Sequence, residues 1–104
     1  MSYRIVYLTE ARQDMREIAL YLSEYYFSTA QNFSAKLKEK VRALKEMPFM
    51  YPVYEDDPYF RKMVFERYAL FYSVDEKRNL VIVHRIIHQK RDIGSEMLPH
   101  QIQE

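Results

Sequence analysis

A histidine followed by two cations closes the last strongly apolar segment of the chain. The residues read His88-Gln89-Lys90-Arg91-Asp92. A histidine can move a proton near pH 7, and neighbouring cations can hold a phosphate and stabilise the charge that develops on it. These are the groups that a metal-independent ribonuclease needs. The alternative is structural, with Arg91 and Asp92 pairing with each other or with glutamates at a strand end.

Two histidines four residues apart also suggest a metal site. His84 and His88 fall on one predicted strand, which places them on the same face about 13 Å apart. A zinc ion holds its nitrogen ligands at about 2 Å, so these two side chains cannot share one ion. The acidic run 55–57 is interpreted as a solvated loop. We therefore expect no metal and no cofactor.

Positive charge is concentrated in the C-terminal half. Between Phe60 and Asp92 the chain has eight Lys or Arg and four Asp or Glu, although the whole chain carries a net charge of only +1. Such a surface is suited to phosphates or to an acidic protein. The candidate binding residues are Arg61, Lys62, Arg67, Arg85, Lys90 and Arg91.

Composition excludes several classes of protein. The 104 residues are enough for one domain, and 48% of them are hydrophobic, which favours a folded core. Cysteine is absent and glycine occurs once, at Gly94, which excludes thiol chemistry and the glycine-rich loops that hold nucleotides. No apolar run is longer than the five residues of Ile18 to Leu22, which cannot span a membrane. We expect a small cytoplasmic domain.

The first half of the chain predicts a strand and a helical hairpin. Residues 3–8 are β-branched and aromatic, and Thr9 is a plausible N-cap for the helix that follows. Ser28 and Gln31 fit a capping box for a second helix, which Pro48 would end. The two apolar stripes are Ala11, Met15, Ile18, Ala19, Leu22 and Tyr26, then Ala30, Phe33, Leu37, Val41 and Leu44.

The second half predicts three strands after an irregular stretch at 48–58. The segments 60–65, 68–74 and 80–87 are rich in Val, Ile, Phe and Tyr, with turns at 66–67 and 75–79. The order is β-α-α-β-β-β, an α+β fold with a helical hairpin on one face of a small antiparallel sheet. We expect one domain over 1–93 and a tail over 94–104 that is a short helix or frayed.

Both faces of the last predicted strand are apolar. Leu80, Ile82 and Ile86 alternate with Val81, Val83 and Ile87. Two helices can cover only one face of the sheet, so the other face predicts a partner that covers it. Alternatively, strand twist and the C-terminal tail cover it.

An ordered set of motifs resembles the RelE/ParE toxin superfamily of bacterial toxin–antitoxin systems. The resemblance covers about residues 3 to 93. The motifs that carry the resemblance are Tyr3-x-Ile-Val-Tyr, Ala11-x-x-Asp14-Met15-x-x-Ile18-x-x-Tyr21, Leu44-x-x-Met47-Pro48, Tyr51-Pro52, Arg61-Lys62-Met63-Val64, Tyr68 to Glu76, and Val83-x-Arg85-Ile86-Ile87-His88-x-x-Arg91-Asp92.

The resemblance implies a growth-inhibiting toxin that is silenced by a cognate antitoxin in a hetero-oligomer. RelE-like members cut messenger RNA on the ribosome without a metal, and ParE-like members inhibit DNA gyrase. The RelE pattern has a catalytic arginine where this chain has Ala69, and a tyrosine in the stretch that is Ile93 to Leu98 here. Both are missing, which favours the ParE-like branch and inhibition by binding.

The resemblance also assigns roles for the two alternatives to this branch. In a ribonuclease, His88 would act as acid or base, with Arg61, Lys90 and Arg91 holding phosphate. The other alternative is a relative without toxicity that only binds its antitoxin.

Overall fold

The computed structural model describes residues 2–91 and 93–97. A 3-10 turn at Ala43–Lys45 extends the second helix. Within the described residues, no helix has the length and apolar character that a membrane crossing requires. The elements are β1 (Arg4–Tyr7), α1 (Thr9–Ser23), α2 (Phe27–Arg42), β2 (Arg61–Phe65), β3 (Tyr68–Asp75), β4 (Leu80–His88) and α3 (Ile93–Glu96).

The four strands form one sheet in the order β1-β4-β3-β2. β2, β3 and β4 are the predicted antiparallel meander. β1 lies beside β4 and runs parallel to it. The α+β fold is therefore confirmed, but the sheet is mixed rather than wholly antiparallel. A parallel pair needs a long crossover connection, and the helical hairpin with the meander supplies one between β1 and β4.

The helical hairpin forms as predicted, but both predicted caps are wrong. Leu8 precedes α1, and Thr9 is already its first residue. α2 begins one residue before Ser28, after Tyr26, and neither helix start has a side-chain cap. The entry to α1 is held by the sheet instead, because the Leu8 N–H donates to the Val83 carbonyl at 3.0 Å.

The helices cover the front face of the sheet and form the main core with it. Both predicted stripes contribute, although Met15 and Leu22 are only partly buried and Tyr26 is exposed. The Phe33 ring packs against Phe65 and Tyr68 at centroid distances of 5.2 and 5.3 Å. This contact joins α2 to the β2–β3 end of the sheet.

A β-bulge at His84 interrupts the pairing of β4 with β3. Val83, before the bulge, faces the helices; beyond it Ile86 faces them, and Ile87 faces the rear. The predicted strict alternation, with Val83 and Ile87 on one face, is therefore wrong. His84 and His88 are also not on one face, since His84 packs on the rear cluster and His88 lies at the front.

The rear face carries a second apolar cluster, closed by the chain itself. Its buried members are Phe60, Ala69, Phe71, Ile87 and Met97, with Tyr54 and Ile93 packed against them. The segment before β2 and the short helix α3 supply the cover. The prediction that strand twist and the C-terminal tail cover the surplus apolar face is correct in part, because Met97 belongs to that tail, whereas the contribution of the segment before β2 was not predicted. The predicted tail begins with α3, and residues 98–104 lie outside the described residues.

Candidate functional site

A groove of about 810 Å³ opens at the front of the molecule, between the helical hairpin and the β2–β3 end of the sheet. Its wall and floor are aromatic, and its rim carries both signs of charge. The aromatic residues are Tyr21, Tyr25, Phe33 and Tyr68; the ionisable ones are Asp14, Glu17, Lys36, Glu66, Arg67, His88 and Arg91. We call this cavity the front groove.

Strand register brings the groove's candidate residues together. Tyr68, the first residue of β3, pairs with His88, the last residue of β4. The preceding turn is tight, with Glu66 at φ 55°, and it is fastened to the end of β4. The Gln89 N–H donates to the Arg67 carbonyl at 2.9 Å, and the Gln89 side-chain amide donates to the Glu66 carbonyl at 3.1 Å. Arg67 and His88 therefore border one cavity although 20 residues separate them in the sequence.

The His88 imidazole lines the front groove and is held in place by an aromatic ring and a backbone hydrogen bond. Its ring stands edge-on to Tyr68 at 5.3 Å, and its Nδ1 accepts the Lys90 N–H at 3.1 Å. That bond assigns the proton of the neutral ring to Nε2. Burial raises the pKa of Tyr68, so this phenol stays neutral beside the imidazole.

The wall of the groove is a pair of tyrosines at the C-terminal end of α1, with Tyr21 in its last turn and Tyr25 just beyond it. Tyr21 and Tyr25 are one helical turn apart, with ring centroids at 5.5 Å and hydroxyls at 3.3 Å. The hydrogen bond between the two hydroxyls raises the pKa of Tyr25. Both side chains are more than half exposed, so the wall has aromatic surface that the chain's own core does not use.

Arg91 and Lys62 border a second crevice of about 670 Å³ at the rear. Lys62 lies over the Tyr54 ring at 5.9 Å. Arg91 lines both cavities and sits 3.6 Å from Glu96 in an ion pair. Lys90 is exposed beyond the end of β4.

Arg61 does not join the other candidates. Its Nη1 donates to the carbonyls of Tyr51 and Phe49 at 2.7 and 3.3 Å, and its guanidinium lies 5.0 Å from the Phe49 ring. Arg61 pairs with Tyr72 on β3, whereas His88 pairs with Tyr68, four residues earlier on the same strand. Arg61 and His88 are therefore separated by about 13 Å along the strands. The contacts of Arg61 fasten the segment before β2 to the sheet edge.

Arg85 is the centre of an ion-pair network that links three elements. It donates to the Asp14 carboxylate from Nε at 2.7 Å and from Nη2 at 3.2 Å, and to Glu96 Oε1 at 3.1 Å. Asp14 also accepts the Ile86 N–H at 2.9 Å, at the part of β4 that extends past β1. The hydrogen bond to Asp14 raises the pKa of Arg85. The network leaves Arg85 committed to internal partners.

Sequence reasoning missed the aromatic wall and the role of Asp14. Tyr21 and Tyr25 are one helical turn apart, and neither belongs to the predicted apolar stripe of α1. This spacing is the signal that could have identified an aromatic surface outside the core. Asp14 lies outside the predicted apolar stripe of α1, yet its side chain is only 12% exposed. Among the described residues, no group of three potential metal ligands comes together.

Family comparison identifies the class. The family described as the ParE toxin of the type II toxin–antitoxin system parDE matches residues 3–93. The chain belongs to this family. No protein with a curated function matches the sequence significantly.

Solved structures with this fold come from both branches of the superfamily. The chromosomal ParDE system of P. aeruginosa superposes with a TM-score of 0.72 at 14% identity, over 84% of this chain and 96% of that one. The isolated E. coli RelE toxin superposes with a TM-score of 0.63 at 20% identity, over 96% of this chain and 99% of that one. The toxin–antitoxin complex RelBE2 of Mycobacterium tuberculosis superposes with a TM-score of 0.60 at 18% identity, over 86% of this chain and 100% of that one. At these identities the likeness is one of fold.

Proposed function

We propose that this toxin inhibits DNA gyrase in the cytoplasm by binding it, without catalysis of its own, and that a cognate antitoxin neutralises it. The observation that carries the proposal is the closed rear face. Ala69 stands where the RelE pattern has a catalytic arginine, and it is 0% exposed. Phe71 and Ile87 fill the space around it. A phosphate cannot approach a position that is dry and apolar on this side, so the RelE arrangement has no counterpart there.

The front groove is the surface that we assign to target binding. It is open, and aromatic side chains with few conformations are efficient contact surfaces for a protein partner. The exposed charges at its rim are of both signs, Lys36 and Arg67 with Glu17 and Glu66, which favours a partner surface of complementary charge and fast association. Arg61 and Arg85 are not part of this surface, because both are bonded to internal partners.

Two purified assays test the proposal. We expect the chain to reduce supercoiling by gyrase while ribosome-bound messenger RNA stays intact. Arg67→Glu should weaken gyrase inhibition about tenfold or more, because a repulsive charge at a binding rim acts on association and affinity. Lys77→Glu is the matched control, since Lys77 is exposed in the turn at the other end of β3. Cleaved message with unaffected gyrase would contradict the proposal.

The second candidate function is a metal-independent ribonuclease. It is favoured by one observation, that His88, Arg67 and Arg91 border the same groove. In that mechanism the His88 imidazole moves the proton and the cations hold the scissile phosphate. His88→Ala should then abolish message cleavage while the free energy of unfolding changes by less than about 0.5 kcal/mol. A gyrase inhibitor should keep most of its activity in this variant.

The antitoxin is the proposed partner for the apolar surface that the chain leaves uncovered. Solved neighbours include a ParDE system and a RelBE complex, and the front groove offers this chain's exposed aromatic wall. Expression of the chain alone should stop growth, and co-expression with its antitoxin should restore growth. Normal growth with abundant free protein would favour the remaining alternative, a relative that only binds antitoxin.

A further inference from the structure

The two edge strands of the sheet differ in what lies beside them. The order β1-β4-β3-β2 puts β1 at one edge and β2 at the other. The Lys62 N–H on β2 donates to the Pro52 carbonyl at 3.0 Å, so the chain itself covers part of the β2 edge. Within the described residues, no strand pairs with the outer side of β1. An unpaired strand edge is a template for pairing with an extended chain.

The register of β1 shows which of its backbone groups are free. The N–H groups of Arg4 and Leu8 donate to carbonyls in and just before β4, at 2.9 and 3.0 Å. Every second residue of a strand faces a given neighbour, so Arg4 and Val6 bond to β4. The N–H and C=O groups of Ile5 and Tyr7 therefore point away from the sheet. In the part of the chain that the structure describes, no group is found to bond to these four.

Three cations border this edge. Arg4 lies on β1 itself, and Lys45 is beside the start of the strand, because the Tyr3 N–H donates to the Lys45 carbonyl at 2.8 Å. Burial raises the pKa of Tyr7, and the nearby charge of Arg42 acts against that rise, which places Arg42 close to the other end. All three cations are exposed, and none forms an ion pair among the described residues.

The side chains of β1 indicate what an added strand would meet. Ile5 and Tyr7 pack against the front core, so Arg4 and Val6 face the rear. Val6 is 37% exposed. Side chains directly opposite on neighbouring strands are in contact, so an added strand would set one side chain against Arg4 and one against Val6. An acidic residue suits the first position and an apolar residue the second.

We propose that the outer edge of β1 binds an extended acidic segment of another protein, which joins the sheet as a fifth strand. The free backbone groups of Ile5 and Tyr7 supply the hydrogen bonds, and Arg4 supplies the preference for acidic side chains. The front groove lies at the opposite, β2–β3 end of the sheet. The inference therefore goes beyond the proposed function, because a segment held at β1 leaves the groove open.

Amide hydrogen exchange of the purified chain, followed by NMR, tests the edge first. The Ile5 and Tyr7 N–H groups should exchange about 100-fold faster than the Val6 N–H, which is bonded to β4. The probe is an acetylated nonapeptide of alternating valine and glutamate. Adding it should slow exchange at Ile5 and Tyr7 about tenfold or more and leave Val6 little changed, because only the outward groups gain partners.

Reversing the charge at Arg4 tests the preference for acidic segments. Arg4→Glu should raise the dissociation constant of the glutamate peptide about fivefold or more, and it should lower that of the same peptide with lysine in place of glutamate, because the cross-strand pair is reversed. Arg16→Glu is the matched control on the exposed face of α1 and should leave both constants within about twofold of the original. Circular dichroism and thermal unfolding check that both variants fold.

Three results would overturn the inference. Slow exchange of Ile5 and Tyr7 in the chain alone would show that the edge is already covered. Unchanged exchange of these two amides at millimolar peptide would show that no strand is added there. Equal effects of Arg4→Glu and Arg16→Glu would show that the edge has no preference for acidic segments. Neither gyrase nor messenger RNA enters the measurement, so its outcome is independent of the proposed function.

Discussion

The front and rear faces of the sheet differ in what they leave accessible. The front keeps an open groove where aromatic rings meet His88 and exposed cations. The rear places Ala69, Phe71 and Ile87 under a cover made by the segment before β2 and by α3. The comparison teaches that one small sheet can leave an aromatic groove with a charged rim open at one end of its front face, while a second core forms on its rear face. Binding or chemistry has to occur where water and ligand can enter.

Placing a charge in the rear cluster should have the largest effect. Ala69→Arg puts an unpaired guanidinium at a fully buried position, and we expect the free energy of unfolding to fall by about 4 kcal/mol. Urea denaturation measures this loss. Val64→Arg is the matched control, because Val64 pairs with Ala69 across the strands but is 50% exposed, and it should change stability by less than about 0.5 kcal/mol. Equal stability of the two variants would show that the rear face opens easily.

Removing Asp14 should break the link between the two faces. Asp14→Ala leaves the Arg85 guanidinium and the Ile86 N–H without the acceptor they share, and we expect a loss of about 2–3 kcal/mol. Asp14→Asn retains an oxygen that can accept the Ile86 N–H and should lose about half as much. If chemical denaturation gave the same small value for both variants, the network would contribute little to the fold.

Tyr72 distinguishes the front core from the purely apolar rear cluster. Its buried hydroxyl donates to the Pro48 carbonyl at 2.8 Å, and burial raises the pKa of Tyr72 to about 12. The unfolded chain loses this proton near pH 10 and the folded chain holds it to about pH 12, so stability is complete below pH 10 and falls as the pH rises through this interval.

Tyr72→Phe should cost about 1 kcal/mol at pH 7, because it removes one buried hydrogen bond. It should also reduce the loss of stability between pH 10 and pH 11.5, although Tyr7 and Tyr68, whose pKa values burial also raises, continue to contribute. Denaturation curves of the two proteins at both pH values check this. Parallel pH dependences would show that the Tyr72 proton is not held by burial.

The sequence alone determined the element order and the front core. The spacing of Phe33, Leu37 and Val41 fits one face of a helix, and all three are buried where the period required it. The β-branched and aromatic runs located the three strands of the meander to within a residue or two. The spacing of apolar residues along a helix or strand shows which side of it is buried. The element order and the front core could therefore be predicted from local sequence pattern alone.

Only the tertiary structure decided which cations act together and which surface stays open. Arg61 and Arg85 have the same residue type as Arg67, yet the fold commits the first two to internal carbonyls and carboxylates and leaves Arg67 at the groove. The bulge at His84 turned the last strand and separated two histidines that strict alternation placed together. Such outcomes depend on contacts between residues far apart in the chain, and local spacing contains no information about which of them form.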